Sequence, residues 1–380
     1  TRITFPYLLF MTLVTLFSGI LNAHRHFAVA AGAPVLLNLA MLAALSVSFL
    51  FPNAAYAAAW GVAVSGVLQF GLLWWGCRRV RVMPDLAVPR LDPALKRFFT
   101  VLGPAVVGSA GFQIAAFADT IIASWLPTGA VSALYYADRL YQLPFGVIAI
   151  AAGTVLLPEM SRRIASGDVA GAHAAQNRAA GFSLALSAPF TVAFLTIPGL
   201  IMAALFQRGA FSAEDAARAA SVLAAYGLAL PAVVLVRSAV ASFYARQDTK
   251  TPLWASLTAI GVNVALKLWL TGPYGVAGLA LATAVAQWVN LLLLLVLAKR
   301  RDWTAPGRAL GLTVAGVALA CLGLAAVAVY GQGLVQALVP ALPHGRDLVV
   351  LAVLGLAGAL VYGGLLAGLL HLFGLRLRRA

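Results

Sequence analysis

Charge is scarce in this sequence, and negative charge is scarcer still. Asp, Glu, Lys and Arg make up only 10% of the 380 residues, and just 11 of those residues are acidic. A soluble domain carries about two and a half times that charged fraction, so a water-soluble fold is excluded. Cysteine is nearly absent. Cys77 and Cys321 sit at or within apolar segments, which excludes a disulfide framework and a thiolate metal site. The five histidines are scattered: His24 and His26 flank Arg25, and His173, His344 and His371 stand alone. There is no Ser/His/Asp set, no pair of carboxylates at a useful spacing, no phosphate loop and no HExxH. Nothing in the sequence reads as a catalytic set.

What remains is apolar. Hydrophobic residues are 62% of the chain, and the mean hydropathy is +0.95. The 35 glycines and 18 prolines suit membrane helices, where neighbouring helices re-satisfy freed backbone groups. The fold class is an all-α polytopic membrane protein with about eleven transmembrane helices. The expected spans are 3–21, 27–51, 55–76, 99–126, 135–163, 179–205, 217–243, 252–271, 275–298, 309–330 and 348–373.

The net charge of +15 suggests nucleic-acid binding until its distribution is considered. Basic residues gather at alternate connections: Arg25, then Arg78 to Arg97, Arg162 to Arg178, Arg246 and Lys250, Lys299 to Arg308, and Arg376 to Arg379. The opposite connections hold only Arg2, Arg208, Arg218 and Arg346. By the positive-inside rule the basic face is cytoplasmic, with the C-terminus inside. The charge is a topology signal and a contact for anionic membrane lipids, and no nucleic-acid partner is expected. On the opposite face, Ser212 and Asp215 have capping-box spacing for the helix that follows.

Four spans carry charge inward. Asp138 and Arg139 stand side by side in the stretch 135–163, about 100° apart on a helix, so they neutralise each other poorly. A charge in hydrocarbon costs at least about 2.5–3.5 kcal/mol on insertion scales. Arg139 therefore calls for an anionic ligand, with snorkelling to the interface as the bland alternative. Asp119, Arg139, Asn263 and Lys267 fall at similar depths and can share one cavity. The bland alternative for Asp119 and Lys267 is an ion pair that fixes helix packing. Arg237, nearer the inner end of its span, reads as a snorkelling residue. In the last span, Gly364 and Gly368 have the GxxxG spacing of close helix contacts.

The motifs resemble one family. Arg2-Ile-Thr-Phe-Pro-Tyr7, Ala33-Pro34 with Asn38, Gly103-Pro-Ala105 with Gln113, YYADRLYQLPFGV from Tyr135, GTVLLPEMSR from Gly153, LFQRGAFSAED from Leu205 and FYARQDTKTP from Phe243 run in the order of the MurJ or MviN lipid II flippases. These belong to the superfamily of multidrug and oligosaccharide-lipid exporters. The resemblance implies a fourteen-helix, two-lobe flippase of which this chain matches spans 4–14, with the first three expected upstream of Thr1. It implies part of an N-lobe at 1–76, a basic cytoplasmic linker at 77–98, a C-lobe at 99–300, and two further helices at 301–380 that form a lipid-tail groove. It implies that Arg139, with Asp138 beside it, binds the pyrophosphate of lipid II. It implies that Asp119, Asn263 and Thr283 match a sodium site found in some members. Lys267 stands where a further acidic ligand is expected, so sodium binding is doubtful and the ammonium is expected to pair with Asp119. No cofactor is implied, and membrane potential is the expected driving force. The implied setting is the bacterial inner membrane, with lipid II as substrate and cell-wall synthesis proteins as neighbours. The rival readings are an exporter of another polyprenyl-linked oligosaccharide, or a membrane enzyme or scaffold of envelope synthesis.

Overall fold

The structure is a computed structural model. It describes residues 2–24, 26–84, 95–96, 99–100, 102, 117–339 and 345–374. Gly103-Pro-Ala105, Gln113, Arg25, His344 and the basic C-terminal tail lie outside the described residues. All regular structure among the described residues is helical. The chain divides into two compact units, Thr1–Lys96 and Arg97–Ala380.

The first unit is a bundle of three helices: α1 (Pro6–Ala23), α2 (Phe27–Ser46) and α3 (Ala54–Val80). Pro6 starts α1, where its missing N–H costs nothing. Asn53 caps α3 by accepting the Tyr56 N–H at 3.0 Å. α3 packs on both α1 and α2 through small residues. A Cβ at Gly66 would lie 2.8 Å from Tyr7, and one at Gly76 would lie 2.9 Å from Val29. Lipid tails are as apolar as these helices, so close van der Waals contact drives their association. Phe17 and Phe70 close the core edge to face at 5.5 Å. Arg78 and Arg79, in the last turn of α3, lie over Trp74 and Trp75.

The second unit holds α4 (Ala130–Ala165), α5 (Val169–Thr196), α6 (Pro198–Phe206), α7 (Ala213–Tyr244), α8 (Lys250–Arg300), α9 (Arg308–Leu338) and α10 (Arg346–Leu372). A helical segment, 117–124, precedes α4. α7 is the hub, packing against α4, α5, α6 and α8. Its buried face is largely alanine with Gly227, which lets four neighbours approach closely. Ser212 and Asp215 form a reciprocal capping box at its start.

Eight helices among the described residues are long and apolar enough to cross a membrane. One of them, α8, has 51 residues and would be about 76 Å long if straight, more than twice a hydrocarbon core. It breaks at Gly275, whose φ of 54° and ψ of −134° are open to glycine but not to a residue with a Cβ. The two limbs are the expected spans 252–271 and 275–298. α4, some of whose side chains lie outside the described residues, reaches membrane-spanning length at 36 residues. The expected span 179–205 is divided into α5 and α6. Ile197 precedes Pro198, and a residue before proline is pushed away from helical geometry.

α9 and α10 pack on each other and on α5 and α6. The Tyr362 hydroxyl donates to the Ala185 carbonyl at 2.7 Å. Close contact in this pair runs through Gly323 and Gly358, where an added Cβ would strike Leu365 and Leu324. Gly364 and Gly368, despite their spacing, have nothing within 4 Å of an added Cβ.

Outside the spans, carboxylates fasten the helix ends. Glu159 pairs with Arg163 at 3.0 Å and Arg178 at 2.9 Å. Asp168 caps α5. The Gly171 N–H and then the Arg163 guanidinium hold its carboxyl below the usual range. Asp248 pairs with Arg301 at 2.6 Å, while Arg246 and Arg301 both lie over the Trp303 ring.

The kink in α8 brings the Gly278 Cα against the Leu270 carbonyl, which an added Cβ would overlap. Gly278→Ala should therefore destabilise the protein by about 1–3 kcal/mol. Gly261→Ala, where a Cβ meets nothing within 4 Å, should be neutral or stabilising by up to about 1 kcal/mol. Thermal unfolding of the two variants in detergent checks the pair.

Candidate functional site

Among the polar groups inside the second unit, two sets hold the residues singled out from the sequence. The first is buried. Lys267, on the first limb of α8, is 1% exposed, and its Nζ lies 2.6 Å from Asp119 Oδ1. Asp119 comes from segment 117–124 and keeps about a third of its side chain accessible. One turn before Lys267, Asn263 donates through Nδ2 to Thr283 Oγ1 at 3.3 Å, across the α8 kink. Thr283 passes its own proton to the Leu279 carbonyl. Asn263 Oδ1 is buried without a hydrogen-bond partner among the described residues.

A buried ammonium demands a counter-charge, because removing it from water costs several kcal/mol. Asp119 supplies one, and the pair is neutral as a unit.

The second set lies on an open face of α4. Arg139 is exposed, and its guanidinium rests 4.9 Å from the ring centre of Tyr135, one turn back. Among the described residues it has no salt bridge. Asp138 is half-buried, accepts from Gln142 Nε2 one turn on, and lies close enough to Asp119 to feel its charge. The face carrying Tyr135, Arg139 and Gln142 is exposed, and a Cβ at Gly146 beyond it would meet nothing within 4 Å. Behind this face, Tyr141 stacks on Tyr226 of α7 at 5.0 Å and seals the helix packing.

The structure thus brings Asp119 to Lys267 and Asn263 to Thr283. It leaves Arg139 separate from both pairs, with no hydrogen bond or ion pair to them among the described residues. Two features escaped the sequence reasoning. Tyr141 and Tyr226 give no signal beyond ordinary aromatic content. Arg237 lies on α7, and its guanidinium sits 5.4 Å from the centre of the Phe145 ring, in the middle of α4 rather than toward the nearer helix end.

Long apolar helices, a kinked helix with a buried ion pair, and a polar face open on one helix define a multi-pass membrane protein with a polar site at membrane depth. The sequence model of the family described as Lipid II flippase MurJ matches residues 1–342. The chain belongs to that family. It is 41% identical over 303 residues to the probable lipid II flippase MurJ of Rhizobium tropici, covering 79% of this chain and 57% of the relative. It is 37% identical over 311 residues to the lipid II flippase MurJ of Burkholderia cenocepacia, covering 79% and 59%. The chain therefore spans somewhat over half the length of the relatives it matches. A solved structure described as lipid II flippase MurJ in an inward closed conformation superposes with a TM-score of 0.76. The match covers 98% of this chain and 74% of that one at 23% identity, and so shows a shared fold.

The buried pair makes a clear prediction. Lys267→Met strands a carboxylate and should destabilise by about 3–5 kcal/mol, toward the low end because Asp119 reaches some solvent. Lys267→Met with Asp119→Leu should recover most of that loss. Denaturation in detergent checks it; losses that simply add would contradict the pairing.

Proposed function

We propose that this chain is the substrate-handling part of a lipid II flippase, which moves the polyprenyl-diphosphate-linked peptidoglycan precursor from the inner to the outer leaflet. The observation that carries the reading is Arg139, a guanidinium within an expected span, on an exposed helix face and without a salt bridge among the described residues. Such a group is expensive in lipid and belongs to a water-filled cavity or a ligand. Its planar fork matches phosphate oxygens, which an ammonium matches less well. Asp138, engaged by Gln142 and close enough to Arg139 to feel its charge, orients the site. Family membership and the names of the relatives support lipid II over other polyprenyl-linked sugars.

The protein then works by alternating access. The polar head group crosses while the prenyl tail stays in lipid. Residues 1–76 form part of one lobe, 77–98 the linker, 99–300 the other lobe and 301–380 the helix pair beside the tail. A groove of about 200 Å³ between α5, α7 and α9, lined by Leu184, Ser187, Thr191, Pro231, Val317 and Cys321, supports the tail assignment. The basic connections support a cytoplasmic C-terminus in an inner-membrane protein. Lys267 takes the place of a bound sodium ion, so transport needs no sodium, and membrane potential acts on the charged cavity.

Rescue of bacterial cells depleted of their own lipid II flippase tests the reading. The full gene product should restore growth, Arg139→Ala should not, and Arg139→Lys should flip at least about tenfold more slowly. Normal growth with Arg139→Lys would remove the phosphate role. Flipping in proteoliposomes should be unchanged when potassium replaces sodium; dependence on sodium would contradict the role of Lys267.

A further inference from the structure

Arg237 is the charged residue that this reading leaves unused. It lies seven residues from the end of α7, about 10 Å along the axis. A snorkelling side chain would reach toward that end. Instead its guanidinium stands 5.4 Å from the centre of the Phe145 ring. Phe145 is 15 residues after Ala130 and 20 before Ala165, so it lies about 22 Å from one end of α4 and about 30 Å from the other. Long helical side chains lean toward their own N-terminus, and Arg237 does so, into the middle of the membrane.

Arg237 is exposed, and among the described residues it has neither a salt bridge nor a hydrogen bond. The carboxylates at this depth are engaged elsewhere, Asp119 with Lys267 and Asp138 with Gln142. A Cβ at Gly146, the residue after Phe145, would meet nothing within 4 Å. The arrangement repeats that of Arg139, a free guanidinium resting on an aromatic face. The two rings, Tyr135 and Phe145, are ten residues apart on α4, about 15 Å. That is too far for both arginines to grip one diphosphate at once. It suits two successive positions. A ring holds a guanidinium by a weak attraction that an arriving phosphate displaces.

We propose that Arg237 is a second anion-holding residue of this site, which takes a diphosphate ester about 15 Å along α4 from Arg139, so that the ligand passes between two arginine stations. The inference rests on the flippase reading above, and it assigns the second residue by its own geometry.

The test measures binding of farnesyl diphosphate to the purified full gene product in neutral detergent, with farnesol as the uncharged control. The wild type should bind the diphosphate and not the alcohol. Arg237→Met, which keeps the apolar stem on Phe145, should bind about twofold more weakly because the Arg139 station remains, with an unchanged melting temperature, and Arg237→Met with Arg139→Met should bind no diphosphate. Arg237→Lys should recover part of the affinity. Arg139→Met should lose a similar factor. Phosphatidylglycerol should fail to displace the probe; displacement that depends on Arg237 would assign the station to a phospholipid headgroup and overturn the diphosphate assignment. Wild-type affinity in Arg237→Met beside a loss in Arg139→Met would overturn the proposal and leave the flippase reading standing. Absence of binding by the wild type would remove that reading and the proposal with it. Should Arg237→Met fail to fold, Arg237→Gln carries the same comparison.

Discussion

Hydrocarbon does not solvate charge, and the polar architecture of this protein follows from that constraint. Each charged side chain at membrane depth has one of three fates: pairing, resting on an aromatic ring, or opening onto water. Lys267 takes the first, buried to 1% exposure against Asp119. Arg139 and Arg237 take the second in the absence of ligand, on Tyr135 and Phe145. We propose that the exposed face of α4 offers the third. A buried pair of this kind adds little net stability over an apolar core, but it penalises any arrangement that separates its members. It therefore fixes segment 117–124 against α8, and so sets one wall of the site.

α7 converts that local constraint into a framework. Its alanine-rich surface lets α4, α5, α6 and α8 close around it, and the Tyr141–Tyr226 stack locks α4 to it behind the polar face. α4 is thereby held with one side packed and the other open. The kink at Gly275 turns α8 back so that Asn263 and Thr283 meet, which a straight helix of 51 residues would forbid. The device is common to both features: small residues give close packing, and the few polar groups are confined to one region of it.

Much of this was legible in the sequence. Low charge, high hydropathy and alternating basic connections define a multi-pass helical protein before any coordinates. Asp119 and Lys267 were legible as partners because each is a lone charge in an apolar span at matched depth. The YYADR motif marks Arg139. Other features were not legible, for physical reasons. The direction in which the Arg237 side chain leans depends on rotamer and neighbour, so depth in the span alone suggested the wrong end. Spacing marked Gly364 and Gly368 for close contact, whereas Gly323 and Gly358 make it, because contact depends on which face the partner helix presents. Helix ends shifted by several residues where Pro198 and Gly275 decided local geometry.

The central claim is that the α4 face bearing Arg139 lines water rather than lipid. Thiol labelling in intact cells tests it most directly. Single cysteines would be placed at Gln142 and Gly146, and for comparison at the exposed apolar positions Leu268 and Leu292, in a background where Cys77 and Cys321 are replaced by alanine. A charged thiol reagent needs a thiolate, which forms in water and not in hydrocarbon. The account predicts labelling at 142 and 146 and protection at 268 and 292. Protection at 142 and 146 alike would place that face in lipid and contradict the account.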